Sequence, residues 1–259
     1  MKAKVRYILS AASALLLAVL LGVLLSCSHS ERKLLTCNSI EISMVDSLKF
    51  VTAKEVRSYL DEKYPGIIGE RLDSIRLADI ESLLSARSSI SGCQAWTDGK
   101  GVLHVSVSQR LPAMRFGDAE SGFYIDDSGF IFPLHRSYTA PVPYVSGNIP
   151  VKVSKGFKGE APREEDRKWL RNMLEYNSFV SKSKEWRNRI SSTRIDANGD
   201  LVILTSMGPE QIILGKPDNF EEKFGKIGKY YGRIKPQAEK DYKSISVKYN
   251  NQIVCRKDM

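Results

Sequence analysis

The hydrophobic positions form one uninterrupted run near the N-terminus and many short periodic segments after it. Residues 7–26 carry no charge and are mostly leucine, alanine and valine. About 20 apolar residues in a helix span the hydrocarbon core of a bilayer, and flanking cations stay on the cytoplasmic side. Lys2, Lys4 and Arg6 precede the run. The pattern predicts a cytoplasmic tail at 1–6, a single transmembrane helix at 7–26 and an exported remainder.

Two other interpretations of this run differ in what happens at its end. A cleaved secretory signal has an apolar core of about 7–15 residues and a small-residue exit, whereas this run is longer. The sequence Leu24-Leu25-Ser26-Cys27 resembles the exit of a lipoprotein signal, in which Cys27 is acylated after cleavage. We favour the uncleaved anchor because the apolar core is long and leucine fits poorly before the small residue. Acylation of Cys27 stays open.

After a polar linker at 27–37, residues 38–110 show strand and helix periodicities in the order β-α-α-β-β. Residues 38–45 alternate between apolar and polar positions, which predicts a strand. Thr52 and Glu55 have the spacing of a capping box at a helix start. A second helical segment follows at 77–86. Two more strands then flank a turn at 98–101, and the second of them alternates strictly, with three apolar positions on its buried face: Leu103, Val105 and Val107.

Residues 111–259 predict a mixed, β-rich domain with two helices. The helices are expected at 164–181, opened by Pro162, and from Asn219 onward. The predicted strands or extended segments are two short strands around the turn Asp126–Gly129, then 141–147, 194–196, 201–205, 211–214 and a final strand over 242–255. The fold class is therefore α+β behind a membrane anchor.

Composition excludes few functions. The chain is 42% hydrophobic and 27% charged, with a net charge of +9, which is ordinary for a globular protein apart from the basic excess. An exported domain rarely meets nucleic acid, so the excess favours anionic lipid or an acidic partner. The three histidines are far apart and no cysteines have C-x-x-C spacing, which makes a metal site unexpected. A Cys37–Cys93 disulfide and free thiols are both compatible with the sequence.

Two acidic motifs could indicate chemistry but favour turns. Asp127-Ser128-Gly129 has the form of half an aspartic-protease site, yet that chemistry needs a second carboxylate to share the proton. Residues 196–200 resemble part of a calcium loop, but Gly199 and Met207 do not fit the EF-hand positions. Both motifs suit hairpin turns. No common catalytic motif is present, so we predict no enzyme, no catalytic residue, no cofactor and no small-molecule substrate.

Four segments, in order behind an N-terminal anchor, resemble motifs of one protein family. They are Val105–Pro112, Tyr124–Phe132, Val142–Gly147 and Ser246–Asn251. Together with the β-α-α-β-β unit, which resembles a POTRA domain, they are similar to the bitopic bacterial division proteins of the FtsQ/DivIB family. Ser246 and Lys248 depart from the family, which often has Asp and Arg at these positions.

The resemblance implies a scaffold in the inner membrane at the division septum. Its bulk would be periplasmic, and it would bind other bitopic proteins of the FtsB/DivIC and FtsL type and so regulate septal peptidoglycan synthesis. Two rival functions are a POTRA-containing factor for secretion or outer-membrane assembly and a periplasmic lipoprotein hydrolase.

The final strand is the predicted partner-binding site. A strand over 244–255 with no later segment to pair with it would offer free backbone groups to an incoming chain. In the resembled family an arginine of this strand pairs with acids of the FtsB-type partner, and Lys248 occupies that place. An alternative is that Tyr249 only packs on the domain's own helix. The expected contact residues are Val247, Lys248, Tyr249, Asn251, Ile253 and, as a second cation, Arg194.

Overall fold

The structure, a computed structural model, describes residues 15–23, 35–118, 120–238 and 242–257. The chain divides into two compact units, with the boundary in the sequence between Gln109 and Arg110. Both units combine helices with a sheet, which confirms the α+β class.

Residues 15–23 form a helix, α1, whose side chains are exposed. They belong to the predicted span at 7–26, and the rest of that span and Cys27 lie outside the described residues. Within the described ranges, no helix combines the length and the apolar character needed to cross a bilayer.

The first unit confirms the predicted β-α-α-β-β order. Its elements are β1 (Ser39–Met44), α2 (Ala53–Lys63), α3 (Leu77–Ser85), β2 (Ile90–Thr97) and β3 (Val102–Gln109). The sheet order is β1-β3-β2, with β1 parallel and β2 antiparallel to β3. The central strand β3 is therefore hydrogen-bonded along both sides.

Alternation along β3 builds the core of this unit. Leu103, Val105 and Val107 are fully buried, as predicted. The capping box also forms: the backbone N–H of Glu55 donates to Thr52 Oγ1 at 3.2 Å, and the N–H of Thr52 donates to Glu55 Oε2 at 2.8 Å. Local sequence thus fixes both the buried face of the sheet and the start of α2.

The cysteines of the described ranges are free thiols, so the structure contains no Cys37–Cys93 bridge. Burial raises the pKa of the Cys93 thiol to about 11, and Glu81 adds to this effect. Burial also raises the pKa of Cys37 and of Cys255. These thiols are protonated, and therefore weakly nucleophilic, at neutral pH.

The second unit is built on one long mixed sheet. Its strands are β4 (Met114–Phe116), β5 (Phe123–Ile125), β6 (Ile131–Pro133), β7 (Tyr144–Gly147), β8 (Ile190–Ile195), β9 (Leu201–Thr205), β10 (Gly208–Gly215), β11 (Ser244–Ser246) and β12 (Val254–Arg256). Within the described residues their order is β12-β11-β10-β9-β8-β7-β4-β5-β6. Sequence periodicity missed β4, because three residues are too few to show alternation.

Two helices of this unit, α4 (Glu164–Lys182) and α5 (Phe220–Lys229), confirm the predicted pair. They contact each other through aromatic rings. The ring centroids of Phe179 and Phe224 lie 5.0 Å apart, those of Tyr176 and Phe220 lie 5.6 Å apart, and Trp186 meets Phe224 edge-on at 5.1 Å. These contacts hold α5 in a defined position on the unit. After α5 the chain continues as a π-helix at Tyr230–Ile234 and a 3-10 turn at Lys235–Gln237.

Both acidic motifs form turns, as predicted. Asp126 Oδ1 accepts backbone N–H bonds from Ser128 and Phe130 at 2.9 and 3.0 Å. Asp196 Oδ1 likewise accepts backbone N–H bonds from Asn198 and Asp200, at 2.8 and 2.9 Å. Burial alone would raise the pKa of Asp126, but hydrogen bonds from Ser128, Arg110 and Phe130 hold it below its ordinary value. The two carboxylates serve backbone geometry.

The prediction of one continuous final strand over 242–255 is wrong. The chain forms two short antiparallel strands, β11 and β12, with Asn251 between them in the left-handed conformation at φ 57°. β11 pairs parallel with β10 on its other side, so β12 and not β11 lies at the edge of the sheet. Apolar and polar residues alternate in the sequence through 245–249, but Asn250 and Asn251 turn the backbone.

A buried ion pair joins the end of the α5 region to the sheet. Glu210 on β10 is fully buried, and Lys235 Nζ lies 3.0 and 3.1 Å from its two carboxylate oxygens. A side chain at position 208 would occupy the space of this pair, which explains the glycine there. Burial raises the pKa of neighbouring Tyr231 to about 12, with Glu210 contributing to the rise. Lys235 therefore compensates the charge of the Glu210 carboxylate, which has no access to water.

Replacing Lys235 with methionine is expected to destabilise the second unit by about 3 kcal/mol, because Glu210 would keep a buried charge without its cation. Denaturant unfolding of the full chain measures the change. The double variant Lys235→Met with Glu210→Gln is the control, since it removes both charges and should recover much of the loss. A double variant no more stable than Lys235→Met alone would contradict this explanation.

Candidate partner-binding site

β12 forms an open edge of the long sheet. Its inner side pairs with β11 over Ser246–Val254, Ile245–Cys255 and Ser244–Arg256. Among the described residues, no strand pairs with its outer side. Val254 is 37% exposed and Arg256 is exposed. An edge of this kind presents unpaired backbone N–H and C=O groups to another chain.

The segment between the two strands is fixed on α5 by one lysine. Lys226 is buried, and its Nζ donates to the carbonyl of Tyr249 at 2.8 Å and to that of Val247 at 3.4 Å. The same ammonium lies 2.6 Å from a carboxylate oxygen of Glu222. Because the amine satisfies two carbonyls and one carboxylate, the segment that leads into β12 has a defined path.

Lys248 is already paired within the unit. Its Nζ lies 2.7 Å from Asp200 Oδ2, and this hydrogen bond raises the pKa of the lysine. Its Cβ packs over Gly215, where an added Cβ would lie only 2.6 Å away. The ammonium is 5.4 Å from the ring centroid of Tyr249. A partner carboxylate would therefore have to share Lys248 with Asp200.

Three of the other predicted contact residues lie on the same segment. Tyr249 is 46% exposed, Asn251 is exposed, and Ile253 is half-buried against the core. Tyr249 is therefore accessible, although it is not part of a strand, and its contact with a partner stays a prediction. These residues lie next to the open edge because they lead directly into β12.

Two predicted residues lie elsewhere. The Val247 side chain is fully buried in the core, and its backbone N–H donates to Ile213 O at 2.9 Å, so it cannot contact a partner without unfolding. Arg194 is on β8, separated from β11 by two strands, and donates to Gln211 Oε1 at 2.7 Å. The structure does not bring Arg194 to the β12 edge.

Sequence reasoning missed two cations next to that edge, Arg256 and Lys257, which are both exposed. Lys257 Nζ lies 5.9 Å from the ring centroid of Tyr242. The signal that could have revealed β12 was the Asn250-Asn251 pair between two short apolar stretches, a composition typical of a turn between strands.

A family model described as FtsQ/DivIB, C-terminal related, matches residues 111–256, which is more than half of the 259 residues. The chain belongs to the FtsQ/DivIB family. A POTRA-like domain model matches residues 35–108, the part that contains the β-α-α-β-β unit. No individual curated protein matches the chain. The two matches confirm, at the level of the family, the resemblance found in the motifs. FtsQ/DivIB proteins are non-catalytic scaffolds of the division machinery.

The geometry of the β12 edge in this FtsQ/DivIB protein suits the binding of an extended segment. Within the described ranges, no group of three or more His, Cys, Asp or Glu side chains could hold a metal ion. The β12 edge combines an exposed backbone, an exposed aromatic ring and several cations. These are the components of strand-on-strand recognition of an extended segment.

Proposed function

We propose that this FtsQ/DivIB protein is a single-pass scaffold at the division septum. It binds bitopic division proteins of the FtsB/DivIC and FtsL type and helps to control septal peptidoglycan synthesis. The charge-free run at 7–26 and the cations before it support an inner-membrane anchor with a cytoplasmic N-terminus and a periplasmic bulk.

The open edge of β12 is the observation that supports this function most directly. An extended segment of an FtsB/DivIC-type protein would add to β12 as a further strand, and main-chain hydrogen bonds would supply much of the affinity. Arg256, Lys257 and Lys248 favour an acidic segment. The partner site is thus moved from the predicted strand over 244–255 to β12 and the segment before it.

Depletion of the protein in growing cells tests the division role. We expect filaments with undivided septa and normal export of outer-membrane proteins. A fluorescent fusion should concentrate at mid-cell. Export failure with normal division would instead favour the secretion class of POTRA proteins and would overturn the proposal.

Mass spectrometry of the purified native chain tests the anchor. We expect the N-terminal sequence to be intact, because the apolar run is longer than a cleaved signal core. A mature chain that begins at lipidated Cys27 would show a lipoprotein instead.

The pairing of Lys248 with Asp200 gives a test of the predicted charge contact. If Lys248 binds a partner carboxylate, Asp200→Asn should tighten partner binding about threefold by freeing the ammonium, and Lys248→Glu should weaken it about tenfold. Binding is measured by titrating the FtsB/DivIC-type protein into the full chain. If both variants weaken binding equally, Lys248 only stabilises the unit and makes no partner contact.

A further inference from the structure

A second surface lies on the same unit and is separated from β12 by three strands. β4 and β8 both run parallel to β7, so the first residues of the three strands lie at the same end of the sheet. Val145 of β7 pairs with Thr193 of β8, so the first residues of β8 extend beyond the first residue of β7. The notch left there, below the C-terminal half of α4, is a cleft of about 340 Å³.

The inner part of this cleft is apolar. Its lining includes the fully buried side chains of Met114 and Val145 and the partly buried Val180 and Ile190. Tyr144 stands at the rim, 46% exposed. A volume of this size accepts one large apolar side chain, and transfer of such a side chain from water into an apolar space is favourable.

Tyr144 and Tyr176 are held in place around the cleft. The guanidinium of Arg115 lies 5.2 Å from the ring centroid of Tyr144, which fixes the rim. The hydroxyl of Tyr176 lies 3.1 Å from Thr193 Oγ1, which joins α4 to β8. The walls therefore have a defined shape without an occupant, as expected for a preformed binding site.

The rim carries a single charge. Arg187 is the one charged residue among those that line the cleft, and it is exposed. No carboxylate in the described part of the chain pairs with its guanidinium, whereas Arg163, Arg167, Arg171 and Arg189 of the same region all have acidic partners. The neighbouring sequence 182–189 has four cations and one acid. The charge balance around the cleft therefore favours an acidic ligand.

We propose that this cleft binds an extended segment of a partner protein in which an apolar side chain is adjacent to an acidic one. The apolar side chain fills the space between Val180 and Ile190, and the carboxylate pairs with Arg187, whose planar guanidinium suits bidentate contact. The hydroxyls of Ser191 and Ser192 line the same side of the cleft and can bond to the backbone of the segment. This surface is distinct from β12 and would let the scaffold hold two segments at once.

A selection from random peptides displayed on phage, with the full-length chain immobilised in detergent, tests the proposal. Selected peptides should share an apolar residue next to Asp or Glu. A synthetic selected peptide is then titrated into three variants. Arg187→Glu reverses the charge, Ser191→Trp fills the cleft from an exposed position, and Lys184→Glu makes the same charge change at an exposed residue that does not line the cleft.

We expect Arg187→Glu and Ser191→Trp each to weaken peptide binding at least about tenfold, which corresponds to about 1.4 kcal/mol. Lys184→Glu should change it less than about threefold, because exposed charges at a distance are screened. Removal of β12 should leave binding of this peptide unchanged, which separates this surface from the site of the proposed function. Selection of no peptide, selection of peptides without acids, or equal loss in Lys184→Glu would overturn the proposal. Circular dichroism of each variant verifies that it is folded.

Discussion

Truncation of the chain after Ile253 is expected to abolish binding of the proposed FtsB/DivIC-type partner. The truncation removes β12 and with it the backbone groups that an incoming strand would use. It leaves Ile245 and Val247, which are both buried in the core, and it leaves the carbonyls that Lys226 binds. The rest of the second unit should therefore stay folded. Titration of the partner into the full chain and into the truncated chain measures the effect.

Two comparisons make this expectation specific. Truncation after Lys257 removes only two residues, retains β12 and should bind the partner as the full chain does. Truncation after Tyr242 would be a poor test, because it also removes Ile245 and Val247 from the core and so confuses loss of binding with unfolding. Partner binding that survives removal of β12 would exclude this edge as the site.

Substitution of Val105 by aspartate is expected to unfold the POTRA-like unit. Val105 is fully buried in the middle of β3, between β1 and β2, and pairs with Ile42 on one side and Ala95 on the other. A carboxylate at this position would be buried away from water, and burial of an uncompensated charge costs on the order of 4 kcal/mol or more. Hydrogen exchange of the full chain would show loss of amide protection throughout 39–109.

The matched control for this variant is Ser106→Asp. Ser106 is the next residue of β3 and is only half-buried, on the opposite face of the sheet from Val105. A new carboxylate at position 106 can remain hydrated, so the protection of backbone amides from hydrogen exchange should change little. Septal localisation should be lost in Val105→Asp and retained in Ser106→Asp. Equal protection in the two variants would show that Val105 does not lie in the core.

The sequence alone determined the local features of both units. Alternation in 102–108 identified the buried face of β3, since the side-chain period of a strand places every second residue in the core. Thr52 and Glu55 identified the start of α2, because a capping box needs only residues three apart. The turn at Asp126 was equally visible, because its hydrogen bonds join residues two to four positions apart. Two of the four family motifs, Val105–Pro112 and Tyr124–Phe132, include part of β3 and this turn.

Only the tertiary structure decided how the C-terminal site is built. Sequence reasoning placed Lys248, Tyr249 and Asn251 together, but their alternation could not show that β11 is covered by β12. Lys248 binds Asp200, which lies 48 residues earlier in the chain, and this contact changes what the lysine can offer to a partner.

The cleft at Arg187 and the Glu210–Lys235 pair were hidden from the sequence for the same physical reason. The cleft depends on the register between β7 and β8, and the ion pair joins residues 25 positions apart. Periodicity reports which side of an element is buried, whereas packing decides which distant residues meet there. A binding surface built from contacts between residues that are distant in the sequence exists only after the chain has folded.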